Sequence, residues 1–143
     1  MDKLIWYSIP SPSYYDKVDG VSMIDGANCS LFEEQIQESI DLFNSEIEWD
    51  EMWTLDKAYD RFESGYKLFL LRLDDKPLGH IWNDGHMFIN VYVSKNRPDG
   101  LSERFFKYAQ YLSGEPSIEL YTDEWNKRAQ RFFEKVGGTI FKF

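Results

Sequence analysis

The stretch from His86 to Leu112, HMFINVYVSKNRPDGLSERFFKYAQYL, decides how the chain folds. Met87, Ile89, Val91 and Val93 alternate with Phe88, Asn90 and Tyr92, which is the period of a buried strand. Ser94–Gly100 is turn-rich, and Leu101, Phe105, Tyr108, Ala109 and Leu112 then recur at helical spacing. A strand that passes through a tight loop straight into a helix leaves several N–H groups unpaired at the helix start. With the positive end of the helix dipole, they make a site for phosphate.

Downstream, Gly114 and Pro116 mark a loop and Ser117–Tyr121 a further strand. Asp123 is placed to cap a last helix bearing Trp125, Ala129, Phe132, Phe133 and Val136. Gly137-Gly138 stops that helix, and Thr139–Phe143 is a final short strand. Upstream, Tyr66–Leu73 is nearly continuous apolar sequence, as in a strand covered on both faces. It turns at Asp74-Asp75-Lys76-Pro77 into Leu78–Trp82, and Asn83-Asp84-Gly85 turns again into the central strand.

Further back, Ser30 and Glu33 form a capping box ahead of Phe32, Ile36, Ile40, Phe43 and Ile47, one face of a helix ending near Ser45. Trp49, Met52 and Trp53 form an aromatic connection that reads as a seal on the core, or alternatively as the lining of a substrate groove. Thr54 caps a second helix with Leu55, Ala58, Tyr59 and Phe62 inward and Gly65 as its stop. Lys3–Ser8 is a first strand, ended by Pro10 and Pro12. Residues 9–29 are irregular, with a hairpin-type turn at Asp19-Gly20. The order is strand, two helices, three antiparallel strands, helix, strand, helix, strand. This predicts one α/β (α+β) domain over residues 1–143, with a mostly antiparallel sheet flanked by about four helices.

Composition narrows the function classes. At 143 residues with 43% hydrophobic and 17% aromatic content, the chain is long enough to bury a core. Cys29 has no partner for an internal disulfide, and the two histidines give no Cys/His cluster, so no metal site is expected. The apolar run Leu4–Tyr7 is too short for a signal peptide or membrane span, which points to a cytoplasmic protein without membrane partners. The net charge of −9 is uneven. Residues 1–65 hold 15 acids and 4 bases, and residues 66–143 hold 10 acids and 12 bases. Broad nucleic-acid binding is excluded for want of a basic surface. An acidic half suits a cationic amine, and a mildly basic half tolerates an anionic cofactor.

Three motifs resemble those of the GCN5-related N-acetyltransferase (GNAT) superfamily, across most of Leu55 to Phe143. Arg97-Pro98-Asp99-Gly100-Leu101-Ser102 looks like the family's acyl-CoA loop, Arg/Gln-x-x-Gly-x-Gly/Ala. Asn126 to Gly137 (NKRAQRFFEKVG) is similar to its helix pattern Asn-x-x-Ala-x-x-Phe-Tyr-x-Lys-x-Gly. Asp75–Gly79 resembles the turn and glycine between its second and third strands. The resemblance implies that the backbone after Arg97 cradles the pyrophosphate of acetyl-CoA. The N–H groups of Gly100, Leu101 and Ser102 would point at it, and the physical reading of the helix start agrees. It also implies that the edge Val91-Tyr92-Val93 pairs with the pantetheine amides, free to do so because the next strand splays away. Asn126 would bond the cofactor arm or serve as a helix-start polar residue, and Phe133 would lie beside the cofactor.

Departures from the pattern are as informative. Pro98 stands where the loop usually has glycine and has no N–H to give, and Asp99 sets a negative charge beside a pyrophosphate. Ser102 replaces Gly or Ala. Phe133 occupies the place of a tyrosine that protonates the departing thiolate. The chain also stops at Phe143, where the family has a further strand, so the sheet would be short or completed by a second copy in a homodimer.

Acetyl transfer requires a deprotonated amine and charge stabilisation at the thioester. The candidate groups are Tyr121 as acid and Glu119 or His80 as base through water. Two functions follow: an acetyl-CoA-dependent N-acetyltransferase acting on a cationic amine, or a catalytically silent GNAT-fold binding domain.

Overall fold

A computed structural model describes residues 3–47 and 52–143, so the expectation for Trp49 falls outside the described residues. The elements, in chain order, are β1 (Leu4–Pro10), β2 (Val21–Ile24), a 3₁₀ turn (Cys29–Phe32), α1 (Glu33–Glu46), α2 (Leu55–Glu63), β3 (Lys67–Leu73), β4 (Lys76–Asn83), β5 (Phe88–Val93), α3 (Leu101–Ser113), β6 (Ser117–Asp123), α4 (Lys127–Lys135) and β7 (Thr139–Lys142). They form a mixed α+β fold with two antiparallel sheets, ordered β2-β3-β4-β5 and β6-β1-β7.

The apolar run in β3 does what its composition predicts. Leu68 to Leu71 are all buried, and they divide between two cores. Leu68 and Leu70 pack with Ile36 and Ile40 of α1 and with Ala58 and Phe62 of α2. Phe69 and Leu71 face the opposite way, toward Phe105 and Phe106 of α3 and Phe133 of α4. The four-stranded sheet is therefore covered by α1 and α2 on one face and by α3 and α4 on the other. The β3–β4 hairpin turns through Asp74 and Asp75, both at positive φ (52° and 62°), a backbone that aspartate tolerates in tight turns.

The structure revises four local expectations. Ser30 does not cap α1: the 3₁₀ turn runs through it, and α1 starts at Glu33 without a side-chain cap. The segment after Gly20 is a strand, β2, in ladder with β3. Gly20 lies against Arg72, where a Cβ would meet the Arg72 carbonyl oxygen, so glycine is needed for the approach. Asn126 rather than Asp123 caps α4, its side chain accepting from the Ala129 N–H at 3.1 Å. The expected alternation along the central strand breaks at Asn90, which has φ +58° and sits in a bulge opposite β4. The extra residue inverts the parity, so Ile89 faces the core under α1 and α2 while Val91 faces the core under α3.

β1 lies between β6 and β7, antiparallel to both, with Leu4 opposite Asp123, Pro10 opposite Ser117 and Tyr7 opposite Ile140. Ile5, Tyr7 and Ile9 point inward and are buried, the half-buried alternation of a sheet with one solvated face. The second sheet thus has β1 at its centre, with β6 and β7 at its edges.

Phe106 is fully buried and stacks edge-on against Phe88 of β5 (5.3 Å) and Phe132 of α4 (5.6 Å). It joins three elements. Phe106→Ala is expected to lower unfolding free energy by about 3–5 kcal/mol, read from the midpoint of a urea titration at unchanged slope.

Candidate functional site

β5 and β6 touch at one end and part at the other. Glu119 N–H donates to the His86 carbonyl at 2.9 Å, and Met87 and Glu119 form an isolated parallel bridge. Past that point no ladder joins them among the described residues. On the β4 side, Ser94 N–H donates to the Leu78 carbonyl at 2.7 Å. By the alternation of an antiparallel ladder, the N–H and C=O groups of Val91 and Val93 then face the open edge.

Three hollows follow that edge and share walls. The innermost, about 400 Å³, lies between β5 and β6 and is bounded by Asn90, Tyr92, Tyr121, Asn126 and Phe133, with Phe43 of α1 and Ile47 just past its end. The second, about 350 Å³, runs along Val91 and Val93 to Arg97, Ser102, Arg128 and Phe132. The third, about 260 Å³, lies over the Lys95–Glu103 loop and helix start, with Lys135 on its far side. The result is a groove with apolar walls at its inner end and the cations Lys95, Arg97, Arg128 and Lys135 at its outer end. Of the acids there, Glu103 is paired to Lys107 (3.1 Å) and Lys135 (3.5 Å), and the Lys107 hydrogen bond holds its carboxyl below the usual range.

Gly100 is the N-cap of α3 at φ +78°, a conformation costly for other residues. Leu101 does not point its N–H outward: it is buried and its N–H closes on the Pro98 carbonyl at 3.3 Å. The outward donors are the N–H groups of Gly100, Ser102 and Glu103, which have no protein acceptor among the described residues. The Arg97 guanidinium folds back onto the Ser94 carbonyl at 3.0 Å, stiffening the loop. Asn126 lines the two inner hollows while its Oδ1 caps α4, and its Nδ2 has no hydrogen-bond partner among the described residues. Phe133 is buried edge-on to Tyr7 at 5.4 Å and forms part of the inner wall.

The candidate acid–base groups separate. Tyr121 is half-exposed in the wall of the inner hollow, its ring 4.8 Å from Trp6. Glu119 is exposed on the same side of β6, outside the hollow and next to the bridge. His80 is the correction. It is buried beneath α1 with Nδ1 3.5 Å from Ser39 Oγ, packed against Phe43 and Tyr92. Burial, reinforced by the Arg61 charge, pushes its pKa down to about 3. A neutral, enclosed imidazole behind Tyr92 cannot act as a base in the groove.

Three groups escaped the sequence reading. Glu46, in the last turn of α1, accepts from Tyr92 Oη (2.6 Å), Ser94 Oγ (2.7 Å) and Lys95 N–H (3.2 Å). It ties α1 to the end of β5 and the start of the loop. The one available signal was an acid at the unfavourable end of a helix dipole. Asn90 is the bulge, hinted at only by an Asn inside an apolar strand. Arg61 of α2 lies over Trp53 (4.4 Å) and Trp82 (5.1 Å), and its Nη2 donates to Asn90 Oδ1 at 3.3 Å. Nothing in the sequence separates it from a solvated helix residue.

Among the described residues no helix is long and apolar enough to cross a membrane, and no group of three or more His, Cys, Asp or Glu is placed to hold a metal ion.

Burial pushes the Glu46 carboxyl up, but its three donors outweigh burial and hold it below the ordinary glutamate range. Its stabilisation is therefore present at neutral pH and is lost as pH falls through the depressed folded value. Glu46→Gln should cost about 1 kcal/mol at pH 7, allowing for solvent screening. The difference from the unsubstituted protein should shrink progressively as pH is lowered into the acid range in denaturant titrations.

Solved structures with a similar fold include a Novosphingobium aromaticivorans protein assigned to the GNAT family as an acetyltransferase. It has TM-score 0.61 and 14% identity, over 97% of this chain and 60% of that one. A Staphylococcus epidermidis protein of unknown function has TM-score 0.64 and 12% identity, over 96% and 57%. A Drosophila protein has TM-score 0.56 and 8% identity, over 99% and 49%. The chain spans about half to three-fifths of the length of these structures and shares their fold. It matches no protein-family model and no curated protein.

Proposed function

We propose that the protein is an acyl-CoA-dependent N-acetyltransferase that binds acetyl-CoA along the β5 edge and transfers its acetyl group to an amine in the inner hollow. The observation that carries this reading is the open edge of Val91 and Val93. It runs continuously from a small-molecule-sized hollow to the unpaired N–H groups at Gly100, Ser102 and Glu103. An extended, amide-bearing chain that ends in phosphates fits such a groove at both ends. The four cations at the outer end favour the anionic terminus.

Acetyl-CoA supplies an activated thioester; the chain's own residues position it and move protons. The amine nitrogen forms a C–N bond as the C–S bond breaks, losing a proton while the thiolate gains one. Tyr121, in the wall of the hollow, supplies the proton that Phe133 cannot. Glu119, on the same side of β6, takes the amine proton through water.

A second reading, a silent binding domain of the same fold, is favoured by Pro98, Asp99 and Phe133. Calorimetric titration with acetyl-CoA and CoA separates the two. Micromolar binding that is lost in Gly100→Trp supports the transferase, whereas no binding at millimolar cofactor supports the silent domain. Asp99→Lys should tighten CoA about fivefold by reversing one charge beside the phosphates, and unchanged affinity would show that the loop does not meet them. Given binding, Tyr121→Phe should lower kcat about a hundredfold with CoA affinity unchanged, measured by thiol release with an amine panel.

A further inference from the structure

The solvated face of the second sheet is where polar side chains belong, because the other face, through Ile5, Tyr7 and Ile9, already supplies the core. Three aromatic rings stand there instead. Trp6 of β1 lies 4.8 Å from Tyr121 of β6, tilted 43°, and 6.4 Å from Phe141 of β7, tilted 60°. One ring from each strand makes a row across the sheet, with Trp6 in the middle. Tyr121 is 45% and Phe141 49% exposed, and none of the three belongs to either core. Rings that only sealed the fold would be covered by it. A contiguous exposed apolar patch, here rimmed by Glu119 and Asp123 on the same face of β6, marks a binding surface.

The row is continuous with the inner hollow, because Tyr121 belongs to both: it forms part of the wall of the hollow and packs on Trp6. The two proton-transfer groups of the acyl-transfer reading, Tyr121 and Glu119, thus sit at one end of the aromatic row. A molecule whose amine meets them lays its remainder over Trp6. We propose that Trp6, Tyr121 and Phe141 form a platform for the acceptor's tail, so that the acceptor is an arylalkylamine with a planar aromatic ring a few bonds from its amine. Ring faces suit flat π-systems, which pair with them offset or edge-on. A second ammonium suits the place less, since the Lys142 ammonium already lies over the Trp6 ring at 5.7 Å. The short spacer follows from Tyr121 serving both ends. This inference rests on the acyl-transfer reading above and names the substrate class for that site.

The test is calorimetric titration of the CoA-saturated protein with two neutral product-like probes, N-phenethylacetamide and N-ethylacetamide, which differ by the ring. The ring-bearing probe should bind at least about tenfold tighter. Its ring protons should show nuclear Overhauser contacts to the Trp6 indole and the Phe141 ring. Both readouts use the unsubstituted protein and need no variant to fold. Trp6→Leu, which keeps an apolar side chain without the ring, should cut the preference at least about threefold and leave CoA affinity within about twofold. Phe141→Ala, at the exposed edge, should cut it less. Equal binding of the two probes, binding of neither to protein that does take CoA, or ring contacts confined to the hollow overturns the proposal. So does tighter binding of N-acetylglucosamine than of the phenethyl probe, which would assign the row to a sugar. If CoA itself fails to bind, the probes are titrated alone. A ring preference with contacts to Trp6 then keeps the platform and removes the acyl-transfer reading, and no preference removes both.

Discussion

Glu119 N–H donating to the His86 carbonyl is the hinge of the structure. Two neighbouring strands ordinarily zip along their whole length, because each further rung satisfies a donor and an acceptor. Here they meet at one bridge and diverge. The Asn90 bulge turns β5, while β6 is held by a full ladder to β1. Phe88, Leu120 and Phe133 line the gap between them, so the opening is walled rather than collapsed. The open edge and the hollow beside it both follow from that divergence.

A site of this kind depends on a loop that keeps its shape when empty. The Ser94–Gly100 segment is held from three sides. Glu46 grips its first residues from α1, Arg97 returns to its own backbone at Ser94, and Gly100 locks the entry to α3. These contacts leave the N–H groups of Gly100, Ser102 and Glu103 without a protein acceptor among the described residues, which is preorganisation for a ligand. Asp99 opposes that design electrostatically, and the cations around it outnumber it.

How much of this was legible in the sequence differs by element. The β3 run, the Thr54 cap, the Asp74-Asp75 turn and the two glycine-stopped helices read correctly because their signals are local: periodicity, capping chemistry, turn residues. What failed was non-local. Nothing in Leu4–Pro10 says that it will lie between strands that follow more than a hundred residues later. The alternation around Asn90 looked unbroken because a bulge changes parity without changing composition. His80 looked like a base because strand position does not reveal depth. Glu46 and Arg61 owe their significance to partners 46 to 49 and 29 residues away, distances over which pattern carries no information.

The placement of β1 has a consequence for how the molecule is made. Tyr7 and Ile9 are fully buried, yet the elements around them include β6, β7 and α4, which follow β1 by more than a hundred residues. Until those emerge from the ribosome, an apolar strand with two unpaired edges stays exposed in the nascent protein. Folding must close this longest loop before the second sheet gains anything from it, which makes its assembly slow relative to the hairpins of the first sheet. β1 is therefore among the last of these elements to be settled, and in the interval it is the one most open to pairing with the wrong neighbour.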